Sequence, residues 1–151
     1  MTILPITLTI AGAAALLNLW LAIRVGILRT RHKVMIGDGG NEALAARMRA
    51  HSNFTEYTPI FLILLGLIEL AQGPALWLWV VAIIYILARI LHVFGMDRAA
   101  PNALRGAGAG LTMLGLLVLA VYAIWITYGE QRRSPMTYAA QDPAVSAANT
   151  D

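Results

Sequence analysis

Arg49-Ala-His-Ser-Asn53-Phe-Thr-Glu56-Tyr57-Thr-Pro59 leads directly into Ile60-Phe-Leu-Ile-Leu-Leu-Gly-Leu-Ile68. A charged helical segment that runs unbroken into an apolar one reads as a helix entering a membrane from its aqueous edge. At about 3.6 residues per turn, Arg49, Asn53 and Glu56, at offsets 0, 4 and 7, fall on one stripe of that helix. A cation, an amide and an anion therefore face the same way. Ionisable groups at this depth are costly and persist by pairing or by lining a polar cavity, which makes the stripe the candidate site.

The rest of the chain has the composition that this reading requires. Its 151 residues are 59% hydrophobic and 13% charged, with mean hydropathy +0.69. No charge occurs from Met1 to Ile23 or from Gly106 to Gly129. Each run is long enough to cross a hydrocarbon core of about 30 Å at about 1.5 Å per residue. The apolar middle is interrupted by Glu69, Gln72-Gly73-Pro74 and Arg89, and Gly with Pro breaks it into two helices. The expected fold is an all-α integral membrane four-helix bundle over 1–130, with helices at about 3–28, 41–71, 75–96 and 103–128. The first apolar run lacks a basic n-region and exceeds a signal-peptide core, so it is read as a helix of the mature protein. The tail, 131–151, is rich in Ala, Ser, Pro and Asn without periodicity and is expected to be disordered.

Taken in order, helix 1 carries one strongly polar residue, Asn18, read as a helix–helix hydrogen bond. Asn41 is expected to cap helix 2, with Glu42 in its first turn where the helix dipole favours an anion. Pro59 frees a carbonyl one turn back and is expected to kink the helix and open room beside the stripe. Glu56 lies 16 residues before Gln72 and Arg89 lies 17 after it, so an antiparallel pair brings them to similar depth and an ion pair is expected. Gly106 and Gly110 form a GxxxG pair in a row of five small residues, which argues for a close helix contact.

Arg24, Arg29, Arg31, Lys33, Arg47, Arg49, Arg89, Arg98 and Arg105 lie towards one face, against Arg132 and Arg133 towards the other. The positive-inside rule then makes the loops after helices 1 and 3 cytoplasmic and both termini periplasmic, in a bacterial inner membrane. This sorting accounts for the net charge of +3 without nucleic acid. Arg31, Lys33, Arg47 and Arg98 are read as facing anionic lipid headgroups.

With no cysteine in the chain, disulfides, cysteine nucleophiles and thiolate metal sites are excluded, and any thiol must arrive with a ligand. His32, His51 and His92 have no metal-ligand spacing, so no metal site is expected. Arg29, Arg49, Arg89, His92 and Arg105 approach the cytoplasmic edge around one amide and one carboxylate. Such a set suits a small zwitterion with more negative than positive charge, because arginines fork onto carboxylates and Glu56 accepts from an ammonium. Apolar walls beside it suit a hydrophobic small-molecule or lipid partner.

The Arg49-Ala-x-x-Asn53-x-x-Glu56-Tyr57-x-Pro59 block, Arg89 with His92, and Arg105 opening the last helix together resemble the MAPEG family, the membrane-associated proteins in eicosanoid and glutathione metabolism. Gly-Asp-Gly-Gly-Asn-Glu at 37–42 looks like its bacterial branch. The resemblance implies a homotrimer that holds glutathione between neighbouring subunits near the cytoplasmic face. It assigns Arg49, Asn53, Glu56 and Tyr57 to glutathione binding, with Arg29, Arg89 and His92 beside them. It assigns Arg105 to stabilising the thiolate, since a cation beside sulfur lowers its pKa. The implied function is a membrane glutathione transferase or peroxidase acting on hydrophobic electrophiles.

Two departures carry the alternative. Met96 stands where the leukotriene synthase branch has a tyrosine, and Gly106 follows Arg105 where prostaglandin E synthase has a serine. The loss of both hydroxyls fits a non-catalytic lipid-binding or scaffold protein on the same fold. A purely structural bundle, its cations serving topology, is the third reading.

Overall fold

The computed structural model describes residues 3–98 and 101–141 and, within the last helix, side chains as far as Gly129. Four helices follow in chain order: α1 (Pro5–His32), α2 (Glu42–Gln72), α3 (Leu76–Met96) and α4 (Ala103–Gln141). Each is long and apolar enough to cross a membrane, so the chain is the all-α, four-span membrane protein that its composition requires. It falls into two units, the first ending at Leu119 and the second beginning at Ala120, and each is described by itself.

Local chemistry sets the helix ends. Pro5 occupies an opening position of α1, where its missing N–H costs nothing. The helix stops at Lys33, which adopts a left-handed conformation with its N–H turned back to the Arg29 and Thr30 carbonyls. Asn41 caps α2 as expected, its side chain accepting from the Leu44 N–H at 2.9 Å. Gly73, at φ 80°, and Pro74 then turn the chain into α3.

One end of α1 is satisfied from another helix. Leu4, at its amino end, provides no capping side chain. Glu69 of α2, 1% exposed, reaches across instead. Its two oxygens accept from the Ile6 N–H at 2.9 Å, the Thr7 N–H at 2.8 Å and the Thr7 hydroxyl at 2.7 Å. An anion at a helix amino terminus meets both orphan donors and the positive end of the dipole. What reads in sequence as an interruption of the apolar run is the bond that ties α1 to α2.

Towards the other end, Ala14, Leu21, Ala50, Phe54, Val93 and Met96 form a buried cluster shared by α1, α2 and α3. α4 packs on α3 through Gly108, where an added Cβ would come within 2.6 Å of the His92 nitrogen and 2.7 Å of the Ala88 carbonyl. The crowding is the one expected from the small residues, but the glycine is different. Gly106 and Gly110 have open space around their Cα atoms. At about 100° per residue, Gly108 points away from both, so the GxxxG pair faces outward while the residue between them makes the contact.

In the second unit the helix continues to Gln141. Residues 131–141 are thus helical where the composition reads as irregular, and the intrinsic preferences of a stretch containing Pro135 do not account for it. The remainder of the expected tail, 142–151, lies outside the described residues.

Glu69→Ala leaves three donors at the head of α1 without their acceptor, and is expected to cost about 2 to 4 kcal/mol of stability. Glu69→Gln, which keeps one acceptor oxygen, should lose about half as much. Unfolding midpoints of the detergent-purified variants check both.

Candidate functional site

The stripe that drew attention in the sequence is carried on one unbroken helix, α2, so its spacing is preserved. Arg49 and Glu56 are exposed, while Asn53 and Tyr57 are half-buried. The Glu56 carboxylate accepts from the Ser52 hydroxyl at 3.0 Å, one turn back on the same helix. A cleft of about 400 Å³ lies alongside, lined by Gly37, Asp38, Ala45, Met48, Arg49 and Ser52. Its rim is the loop before α2, which Arg29 holds in place. The Arg29 guanidinium donates to the Met35 carbonyl at 3.2 Å and the Val34 carbonyl at 3.4 Å, and contacts the Met48 sulfur at 3.3 Å. Arg29 thus shapes the cleft from behind.

Arg89 and His92 point elsewhere. Arg89 is 0% exposed, its guanidinium carbon lying 5.6 Å from the Phe54 ring centre. It donates to the Thr112 hydroxyl of α4 at 3.5 Å, and Thr112 donates onward to the Gly108 carbonyl at 2.8 Å. Its Nε and Nη2 atoms are buried and have no hydrogen-bond partner. The expected Glu56–Arg89 ion pair is not formed, because Glu56 turns to solvent while Arg89 turns to α4. One turn earlier on α3, the Tyr85 hydroxyl meets Thr58 of α2 at 3.1 Å, and its ring stacks on Phe61 at 3.7 Å. His92 is 5% exposed and donates from Nδ1 to the Arg105 carbonyl at 3.4 Å. Arg105 itself is exposed at the start of α4.

Several polar contacts went unread in the sequence. Asp97, at the end of α3, pairs with Arg24 of α1 and lies 3.9 Å from Arg47 of α2. Arg47 also donates to the Arg24 carbonyl at 3.3 Å, so it ties helix ends together and does not stand free for headgroups. The Arg24 guanidinium stacks over the Trp20 ring at 4.7 Å. Asn18 makes the helix–helix bond expected of it, and its partner is His51 at 3.0 Å. Asn102 joins the α3 and α4 ends through Gly95. The distant partners, Asp97 for Arg24 and His51 for Asn18, could be found from sequence only once the antiparallel register was known.

Beside Pro59 a second cavity of about 290 Å³ opens between α1 and α2, lined by residues that include Ala11, Ala15, Asn18, Phe54 and Leu62. Room therefore exists where the proline was expected to create it, and its walls are mostly apolar.

The family model described as MAPEG family matches residues 7–125 of this chain. Two relatives carry the name "Inner membrane protein YecN", one from Escherichia coli strain K12 and one from Escherichia coli O6:H1. Each is 28% identical to this chain over 115 residues, which is 76% of this chain and 87% of theirs.

A buried guanidinium with two unpartnered nitrogens costs stability unless an anion joins it. Arg89→Met is therefore expected to raise the stability of the ligand-free protein by about 1 to 4 kcal/mol. The same change should remove any stabilisation produced by an anionic ligand at this seam. Thermal unfolding of both proteins, with and without glutathione, checks the pair of effects.

Proposed function

The chain belongs to the MAPEG family, and from that premise we propose that it is an inner-membrane glutathione transferase or peroxidase acting on hydrophobic electrophiles. The observation that carries this reading is the stripe of Arg49, Asn53 and Glu56 on α2, with its two charges exposed, beside a cleft large enough for a small peptide. Glutathione offers carboxylates and an ammonium, and the stripe offers a cation and an anion to meet one of each. Arg49 forks onto a carboxylate, Glu56 accepts from the ammonium, and Asn53 and Tyr57 supply neutral donors.

Activation follows from electrostatics. Glutathione brings the thiol that the chain lacks, and the Arg105 guanidinium beside it favours the thiolate over the neutral form. In the transferase reaction the thiolate attacks an electrophilic carbon of a lipid-soluble partner, and the S–C bond forms as the leaving group departs with its bonding pair and takes up a proton from water. In the peroxidase reaction the thiolate attacks a hydroperoxide oxygen, the O–O bond breaks to release an alcohol, and a second glutathione converts the resulting sulfenic acid to the disulfide and water. The apolar cavity between α1 and α2 gives such a partner a place to partition from the membrane. Both α2 and the Gly106–Gly110 face of α4 leave surface for neighbouring copies, in keeping with a homotrimer that completes each glutathione site from two subunits.

One observation favours the second reading, a non-catalytic lipid-binding or scaffold protein. Met96 is buried in the apolar cluster with Ala50, Phe54 and Val93, so this position fills core and presents nothing to a ligand.

Turnover separates the two. With detergent-purified protein and a panel of aromatic and epoxide electrophiles, wild type should conjugate glutathione well above the uncatalysed rate. Arg105→Ala should lose about 10²-fold or more in kcat with little change in glutathione affinity, as expected for an interaction made with developing thiolate. Glu56→Gln should weaken glutathione binding about tenfold, the loss of one charge-assisted contact. Wild-type rates equal to background across the panel would move the protein to the scaffold reading.

A further inference from the structure

Arg105 is the third residue of α4, a position where the helix dipole disfavours a cation and sequences usually place Asp or Glu. Its backbone is held from three directions. The Arg105 N–H donates to the Asn102 side-chain oxygen at 3.0 Å, and the Arg105 carbonyl accepts from His92 at 3.4 Å. On the third side lies Gly95 of α3. A Cβ there would overlap the Arg105 nitrogen and Cα. Asn102 also spans to α3, its amide nitrogen donating to the Gly95 carbonyl at 2.8 Å. The Asn102 carbonyl then accepts the next helical N–H, that of Gly106, at 3.2 Å.

An ordinary helix start needs only the cap. Here the cap residue is also cross-linked to the neighbouring helix, and that helix is glycine at the one point where any side chain would push the Arg105 backbone away. A local preference broken by Arg105 coincides with a backbone held more tightly than folding requires, the combination expected where geometry serves a site. Guanidinium stabilisation of an anion falls steeply with distance in a partly desolvated setting, so a shift of about 1 Å in the helix start changes it appreciably.

We propose that Asn102 and Gly95 are positioning residues that fix where the Arg105 guanidinium stands against a bound thiol. Neither touches the ligand. The proposal rests on the reading of Arg105 as the thiol-activating cation. Asn102 supplies a rigid strut, its two side-chain groups spent on α4 and on α3 at once, and Gly95 supplies the space into which the first turn of α4 settles. His92 completes the clamp: since a carbonyl only accepts, its Nδ1 carries a proton towards the Arg105 carbonyl.

The test is the pH midpoint at which bound glutathione ionises, followed by thiolate ultraviolet absorbance in wild type, Arg105→Ala, Asn102→Ala, Asn102→Ser and Gly95→Ala. Asn102→Ala and Gly95→Ala should raise the midpoint by half a pH unit or more, about a threefold loss of thiolate near neutrality. Glutathione affinity should change by less than that factor. Asn102→Ser keeps a capping oxygen, so it folds with α4 intact, and its midpoint should lie between wild type and Asn102→Ala. A role in stability alone would lower unfolding midpoints and leave the ionisation midpoint in place. If Arg105→Ala raises the midpoint while the Asn102 and Gly95 variants stay at the wild-type value, the positioning proposal is overturned and thiol activation stands. If wild type ionises glutathione no more readily than free solution does, or Arg105→Ala changes nothing, both are overturned together.

Discussion

Within a hydrocarbon layer no water is available to complete a hydrogen bond, so every polar group that these helices carry inward must meet another polar group of the protein. Most do so in pairs that join different helices. Glu69 meets the head of α1, Asn18 meets His51, Thr58 meets Tyr85, and Asp97 meets Arg24 and Arg47. Lipid tails give no net hydrophobic drive for helix association, and these bonds together with close packing at Gly108 select one arrangement from the many that apolar surfaces would tolerate.

Arg89 stands apart from that pattern. It is fully buried, and two of its nitrogens are without partners. It sits one helical turn from His92, which clamps the backbone of Arg105. A buried charge with two unpartnered nitrogens and the residue that clamps the first turn of α4 thus lie one helical turn apart on α3. Departures from polar satisfaction are tolerated where they serve binding, and their neighbourhood here coincides with the residues that the family resemblance assigns to glutathione.

Much of the fold was legible because the bilayer imposes a length and a composition. Two charge-free runs and a Gly-Pro break were enough to count four helices, and Asn41 announced the start of α2 by its chemistry. The contacts between helices were far less legible. Glu69 reads as a flaw in an apolar run until the head of α1 is placed beside it, and Gly108 is hidden between two glycines whose spacing matches a known motif. For the candidate site, the helical offsets of Arg49, Asn53 and Glu56 survive intact because they depend on one helix alone. The Glu56–Arg89 pairing did not, because equal depth in two helices says nothing about which face each side chain leaves from.

The central claim, that this chain binds glutathione and ionises its thiol, is tested most directly by counting protons. Glutathione and S-methylglutathione are each titrated calorimetrically into the protein in lipid nanodiscs, in buffers of different ionisation enthalpy. An activated-thiol site predicts saturable binding of both, with glutathione releasing close to one proton more per site than the S-methyl analogue, which has no thiol proton to lose. Equal proton counts for the two ligands, or no binding of either, would contradict it.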